Sequence, residues 1–205
     1  MKRVSEAQLH ELVASHSGAC YLFVGHSRAG YREWPAVAEC VHEACTYLDQ
    51  RHGRGRWLAL SGGDRPGTRA GRECIGDVMA LVMSAAPAAV VAVQSDHTLD
   101  KARAGVDGST ATHVHYYPAL RAAGGRAVFG GVKEIELVEP GQTPSVQSAH
   151  PGCTPVAATA VYLAQALRRH LGGVLAFGGG SVATQECQFA VAHKVRVLVA
   201  WRCLR

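Results

Sequence analysis

The sequence predicts a doubly wound, mostly parallel α/β domain with helices on both faces of its sheet. Short, fully apolar runs that end in glycine and polar residues are typical of strands buried on both faces. Segments in which apolar residues recur every three or four positions separate these runs, as amphipathic helices do in βαβ units. At 205 residues, 48% of them hydrophobic and 18% charged, the chain is long enough for one sizeable core. We therefore interpret residues 1–205 as a single domain.

The first half of the chain alternates predicted helices with predicted strands. Ser5 and Gln8 form a capping-box pattern that starts a helix at about residues 5 to 16. A long helix follows at about 35 to 52, and the stripe Ile75, Val78, Met79, Val82 and Ala86 predicts another. The predicted strands of this half are 19–27, 56–64, 88–96 and 112–118.

The second half contains longer connections. Residues 97–111 and 141–155 are predicted to be loops, while 126–140 alternates like half-exposed strands and favours a hairpin or an edge addition. A mostly apolar helix is predicted at about 155 to 170. It is followed by a strand at 172–180, a helix at about 181 to 193 and a strand at 195–201.

Composition favours a cytoplasmic protein that binds a small anion. No window of about 18 residues is uninterruptedly apolar, and the amphipathic, charged start of the chain does not fit a signal peptide, so we expect no membrane association. The seven cysteines include no Cys-x-x-Cys pair, which fits reduced core thiols. The net charge of +5 is modest, and the sequence contains no basic run with interleaved aromatic residues. Both observations disfavour nucleic acid as a partner.

Glycine and hydroxyl residues collect at the carboxyl ends of three predicted strands. Because these ends meet at one edge of a parallel sheet, we expect them to line one pocket. Glycine lets backbone N–H groups approach a ligand, and a helix N-terminus favours a phosphate. Ser181 is the predicted N-cap there, with Thr184 adding a hydroxyl. The alternative is that the glycines only turn strands into helices. The predicted ligand-binding residues are Gly25, Ser27, Ser61, Gly62, Gly63, Asp64, Gly67, Thr68, Gly178, Gly179, Gly180, Ser181 and Thr184.

Several common sites are disfavoured by the motifs. Neither glycine loop matches a Walker A motif or Gly-x-Gly-x-x-Gly with its downstream acid. Neither Ser27 nor Ser61 lies in the Gly-x-Ser-x-Gly elbow of a serine hydrolase, so this class of enzyme is disfavoured. His113 and His115 share a strand face and would suit a metal only with a third ligand, so no metal site is predicted. Asp64 and Asp96, each at the end of a predicted strand, are better candidates for holding a ribose hydroxyl. The alternative is that either one caps a helix or a turn.

The strings "YLFVGHS", "LALSGGDRPGTRAG", "VLAFGGGSVATQE" and "KVRVLVAW", in that order, carry a family resemblance. The chain resembles the Rossmann-like superfamily of LOG (LONELY GUY) phosphoribohydrolases, formerly called lysine decarboxylases, molybdenum-cofactor carriers, and DprA and SLOG nucleotide-sensing domains. Gly179, Gly180 and Glu186 fall on the Gly-Gly and Glu of the LOG motif Pro-Gly-Gly-x-Gly-Thr-x-x-Glu. Gly178 replaces its proline, Val182 and Ala183 replace its Gly-Thr, and the first three turns of the preceding helix contain no arginine.

The resemblance implies a protein that binds or senses a nucleotide or a related phosphorylated ligand. The alternative is a nucleoside 5′-monophosphate phosphoribohydrolase with Glu186 as the catalytic residue, and a third possibility is a carrier of a molybdopterin-type cofactor. The missing arginine favours binding over hydrolysis. Glu186 would otherwise be a solvated residue early in a helix. The resemblance also implies a homodimer.

Overall fold

The computed structural model describes residues 1–27, 29–67, 71–95, 99, 110–117, 167, 169–192 and 194–199. The helices among them are α1 (Glu6–Ser15), α2 (Trp34–His52), α3 (Ile75–Ser84) and α4 (Ser181–Ala192). The strands are β1 (Lys2–Arg3), β2 (Cys20–Gly25), β3 (Leu58–Ser61), β4 (Ala89–Ser95), β5 (His113–Tyr117), β6 (Leu171–Phe177) and β7 (Val197–Val199).

The seven strands form one sheet in the order β1-β5-β4-β3-β2-β6-β7. Every pairing is parallel. This arrangement confirms the predicted α/β fold class. None of the described helices is both long enough and apolar enough to cross a membrane.

The predicted helices of the first half are confirmed with small differences. At the start of α1, Ser5 Oγ accepts a hydrogen bond from Gln8 N at 3.2 Å, and Gln8 Oε1 accepts one from Ser5 N at 2.9 Å. These two bonds are the predicted capping box. The prediction that Ala86 belongs to the apolar stripe of α3 is wrong. That helix ends at Ser84, and Ala86 lies beyond it at a φ of 52°, outside the helical region.

The structure adds one strand that the sequence did not indicate. The two residues of β1 are both exposed, so no apolar alternation marks them. They pair with β5, where Lys2 is in register with His113. The predicted strand at 172–180 ends earlier, at Phe177, which leaves the three glycines after it outside the sheet. The predictions for 126–140 and 141–155, and most of those for 97–111 and 155–170, lie outside the described residues.

Helices cover both faces of the sheet, as a doubly wound fold requires. Along β2, Tyr21 and Phe23 belong to the core that α2 and α3 cover, whereas Leu22 and Val24 belong to the core that contains residues of α1 and α4. Phe23 stacks against Phe177 of β6 with ring centroids 6.0 Å apart. Neighbouring strands are therefore tied together by side chains on a face as well as by backbone pairing.

The strand order reverses between β2 and β6. From β2 the chain proceeds through β3, β4 and β5 on one side of the sheet, and later returns to place β6 and β7 on the other. In open parallel sheets, ligands bind in the crevice outside the carboxyl ends of the strands at such a switch point. Here that crevice lies beyond Gly25 and Phe177, which are paired in register.

Candidate functional site

The carboxyl end of β2 is closely packed. A Cβ on Gly25 would collide with the hydroxyl of Tyr31 and lie 3.3 Å from the carbonyl oxygen of Phe177. The Tyr31 hydroxyl accepts a hydrogen bond from His26 N at 3.3 Å. Packing within the protein therefore accounts for the glycine at position 25. Ser27 follows in a bend at the same edge.

The turn after β3 contains one packed glycine and one open glycine. Ser61 is buried, and its Oγ accepts a hydrogen bond from Gly63 N at 3.2 Å. Gly63 has a φ of 77° and its carbonyl accepts a hydrogen bond from Gln94 Nε2 at 3.0 Å. Gly62 is exposed, and a Cβ added there would meet nothing within 4 Å. Of this pair, only Gly62 leaves room for a ligand against its backbone.

The loop that follows closes the amino end of α3. Asp77 Oδ1 accepts a hydrogen bond from Gly67 N at 2.9 Å, and its Oδ2 accepts one from Cys74 N at 2.8 Å. A Cβ on Gly76 would collide with the carbonyl group of Arg65, so the loop lies directly on the helix. The protein's own carboxylate thus occupies the position where a helix start would otherwise attract an anion. The amide of Gly67 is used inside the protein, and Thr68 lies outside the described residues.

The amino end of α4 is open. The helix begins at Ser181, so the prediction of Ser181 as the N-cap is wrong by one residue. Gly180 takes that place, because its carbonyl accepts hydrogen bonds from Thr184 N at 3.0 Å and Thr184 Oγ1 at 3.1 Å. A Cβ on Gly180 would meet nothing within 4 Å. The N–H groups of a helix's first turn have no partner within the helix, and among the described residues none comes within 4 Å of a Cβ added at the N-cap.

The two glycines before this N-cap shape the turn. Gly178 has a φ of 68° and Gly179 a φ of 136°, values that side-chain-bearing residues rarely adopt. A Cβ on Gly179 would collide with that of Ala183 and lie 3.4 Å from the carbonyl oxygen of Gly25. The turn after β6 therefore passes close to the end of β2, at the point where the strand order reverses.

Two predicted residues from distant parts of the sequence interact at this edge. Burial raises the pKa of Glu186 on α4 to about 8, and the negative charge of Asp64, after β3, raises it further in the same direction. Both side chains are partly buried. A carboxyl whose pKa lies near 8 is largely protonated at neutral pH and can donate a hydrogen bond, unlike an ordinary glutamate. Strongly perturbed carboxyls are a feature of functional clefts.

Thr184 faces a different part of the molecule. It lines a groove with Gly178, Gly179 and residues of β7, whereas Glu186 does not line this groove. Two residues along an α-helix are separated by about 200° around its axis. Glu186 and Thr184 therefore lie on different sides of α4. The side with Glu186 is polar, and the side with Thr184 faces the apolar groove.

Gln94 and Asp77 were missed by sequence reasoning, and His26 was placed only at a predicted strand end. The carbonyl of His26 accepts a hydrogen bond from Ile75 N at 2.7 Å, burial lowers the pKa of the His26 imidazole, and its ring lies edge-on to Tyr31. Gln94 reaches Gly63 from the next strand. Asp77 follows Cys74 at the spacing of a capping box, which is the one signal among these residues that the sequence carries.

The histidine pair on β5 is used for local contacts. His115 is 5% exposed, and its Nδ1 donates to the carbonyl of Val4 at 3.2 Å. His113 Nδ1 lies 2.9 Å from the hydroxyl oxygen of Thr112. Within the described part of the chain, no group of three His, Cys, Asp or Glu side chains is arranged to hold a metal ion.

The sheet and its switch point define the class of this protein, a doubly wound α/β protein whose described strands are all parallel. No family model, curated protein or solved structure matches the chain. The resemblance to the LOG and SLOG superfamily, with the homodimer it implies, therefore stays a prediction based on the motifs quoted above.

Proposed function

We propose that the crevice between β2, β3 and β6 binds a nucleotide or a related ligand with a terminal phosphate. The observation that carries this proposal is the open amino end of α4 beside the switch point of the sheet. The α3 start is covered by Asp77 and the 64–67 loop, whereas the α4 start has free space at Gly180. An anion at α4 would accept hydrogen bonds from the first-turn amides and gain from the helix dipole.

The carboxyl pair supports a hydroxyl-bearing group near that phosphate. Asp64 and Glu186 affect each other electrostatically from two sides of the crevice. A protonated carboxyl donates a hydrogen bond and an ionised one accepts hydrogen bonds, so together they match a hydroxyl group, which does both. Direct contact of the phosphate with this pair is disfavoured, because the phosphate and the ionised carboxyl of the pair would both be negative.

The amino end of α4 offers a charge test that leaves the fold intact. Aspartate and asparagine are both favoured N-cap residues, and the space at Gly180 accepts either. Gly180→Asn keeps the site neutral, whereas Gly180→Asp places a negative charge where the phosphate would lie. We expect AMP and ribose 5-phosphate to raise the melting temperature of the wild type, because a ligand that binds only the native state stabilises it. The increase should be smaller in Gly180→Asn, whose side-chain oxygen accepts a hydrogen bond from one of the same amides. Gly180→Asp should bind at least tenfold more weakly.

Two results would overturn the proposal. One is a wild-type protein whose melting temperature does not change with any nucleoside 5′-monophosphate or with ribose 5-phosphate. The other is equal affinity in Gly180→Asp and Gly180→Asn. Thr46→Ala, an exposed substitution on α2 at the opposite face of the sheet, serves as a control that should bind like the wild type.

A second function, hydrolysis of the N-glycosidic bond of a nucleoside 5′-monophosphate, is favoured by the pKa of Glu186. A neutral carboxyl next to an ionised one is the arrangement in which one group can donate a proton and the other can stabilise developing positive charge. Release of free base from AMP, measured by chromatography, tests it. Loss of release in Glu186→Gln with unchanged AMP affinity would support it, and the absence of base release by the wild type would exclude it.

A further inference from the structure

A groove lies on the side of α4 away from Glu186. Its volume is about 630 Å³, within the usual size range of small-molecule sites. It lies between α4 and the strands β6 and β7, and we name it the α4–β7 groove. Its lining residues are Ala176, Gly178, Gly179, Ala183, Thr184, Cys187, Gln188, Val191, Val197 and Val199.

The α4–β7 groove extends to the turn that leads into α4. Gly178 and Gly179, which form this turn, are part of the groove wall. One end of the groove therefore lies next to the residues that precede the amino end of the helix. From Thr184 to Val191 the groove follows α4 for seven residues, about 10 Å at the rise of an α-helix, which is long enough for a nucleoside attached to a phosphate at the helix start.

The chemistry of the groove fits a planar, weakly polar group. None of the lining residues that the structure describes belongs to the charged types Asp, Glu, Lys or Arg. The one thiol among them, Cys187, has its pKa raised by burial and by the neighbouring Glu186. Thr184 already donates its hydroxyl hydrogen to Gly180. The amide of Gln188, on an exposed part of the helix, both donates and accepts hydrogen bonds, as the edge of a nucleobase does.

The far end of the groove leaves apolar surface uncovered. Val191 is 64% exposed, and it is one of the few large apolar side chains in the described residues with this exposure. A single exposed valine is ordinary on a protein surface. Here, however, Val191 lines the groove on the α4 side, and Val197 and Val199 line it on the β7 side. An occupant of the groove would therefore contact apolar side chains on both sides.

We propose that the α4–β7 groove binds the base of a nucleotide whose phosphate lies at the amino end of α4. This inference depends on the proposed function, since it assigns the non-phosphate end of the same ligand. The ligand would bend around the glycine turn, with its phosphate at the first-turn amides and its base between α4 and β7.

The test compares ligands that share a phosphate but differ in the base. AMP, GMP, CMP and UMP are titrated against ribose 5-phosphate by thermal shift. At least one nucleotide should bind tenfold or more tightly than ribose 5-phosphate. Gln188→Trp, which fills the groove from an exposed position, should reduce that nucleotide to the affinity of ribose 5-phosphate while leaving ribose 5-phosphate unchanged. Thr46→Trp, an equally exposed helix position on α2, should change neither affinity.

A second measurement reports on the groove without depending on the phosphate. Cys187 is partly exposed, whereas Cys20, Cys40, Cys45 and Cys74 are buried. Iodoacetamide labelling followed by peptide mass spectrometry reports the labelling of Cys187 separately from that of Cys153 and Cys203, which lie outside the described residues. The nucleotide should slow its labelling at least fivefold in the wild type, and ribose 5-phosphate should not.

The outcomes separate this inference from the proposed function. If ribose 5-phosphate and every nucleotide bind equally, or if Gln188→Trp binds the nucleotide like the wild type, the base is not in the groove although the phosphate site stands. If octyl phosphate binds more tightly than every nucleotide, the groove takes an aliphatic chain and the inference is overturned. If no phosphate compound binds but adenosine slows labelling of Cys187, the proposed function fails and the groove still takes a base. If nothing binds or protects, both are wrong.

Discussion

Burial of Glu186 in the second turn of α4, reinforced by the charge of Asp64 after β3, keeps the pKa of Glu186 at about 8. The two carboxyls come from elements on either side of β2, since the sheet order is β3-β2-β6. Their interaction therefore spans the switch point of the sheet. It also gives the molecule a pH dependence that its surface carboxyls would not produce.

The wild type should lose stability at alkaline pH, and Glu186→Gln should not. In the folded state the pKa is raised from 4.5 to about 8, so the folded protein binds the proton more tightly than the unfolded chain. The stability this contributes is complete below pH 4.5 and is lost as the pH rises through about 8. We expect Glu186→Gln and the wild type to unfold with similar free energies near pH 4.5. At pH 9 the variant should be more stable by about 5 kcal/mol, because the pKa values of 4.5 and about 8 differ by about 3.5 and one pKa unit corresponds to about 1.4 kcal/mol.

Urea unfolding at several pH values measures this difference. Asp64→Asn is the matched variant, because it removes only the neighbouring charge and leaves the burial, which is the larger cause. It should retain most of the alkaline loss. A difference between Glu186→Gln and the wild type that stays constant from pH 4.5 to pH 9 would contradict the interpretation.

Asp77→Ala should loosen the loop over α3. The carboxylate of Asp77 accepts hydrogen bonds from the amides of Gly67 and Cys74, and both are lost in alanine. Loss of such a cap costs about 1 to 2 kcal/mol. Hydrogen exchange of these two amides should also become faster. Ser84→Ala, which removes an exposed hydroxyl bonded to the carbonyl of Ala80 in the same helix, should change stability by less than about 0.5 kcal/mol.

Gly179→Ala should destabilise the turn into α4. Its φ of 136° and the collision of a new Cβ with Ala183 together cost about 1 to 3 kcal/mol. Gly62→Ala is the control, because a Cβ there meets nothing within 4 Å and its φ is not among the positive values. Thermal unfolding of the two variants distinguishes backbone strain from a general effect of adding a methyl group. Equal melting temperatures would show that the turn has another conformation.

The core of the fold could be predicted because it leaves a local pattern. The apolar run that contains β2 is buried on both faces, and Leu9 and Val13 of α1 lie at the interval that a packed helix requires. The strand β1 left no such pattern, since Lys2 and Arg3 are exposed and are placed only by pairing with β5. Its position depends on contacts between distant parts of the chain.

The site could be predicted only as a set of strand ends. Glycines after strands indicate turns, but whether a glycine is packed or open depends on side chains elsewhere in the sequence. Tyr31 fills the space beside Gly25, and Gln94 fills the space beside Gly63. No described residue fills the space beside Gly62 or Gly180. The same limit applies to Asp64 and Glu186, whose interaction follows from the strand order rather than from any local motif.

The pairing of β1 with β5 has a consequence for how the sheet assembles. Val4 and His115, which join the two strands through a hydrogen bond, are 111 residues apart in the sequence, whereas β2, β3 and β4 pair through successive short crossovers. Closing a long loop is entropically costly, and contacts between distant residues form slowly. We therefore expect the start of the chain to join the sheet after β2, β3 and β4 have paired. In native-state hydrogen exchange the amides of β1 should open at lower free energy than those of β3.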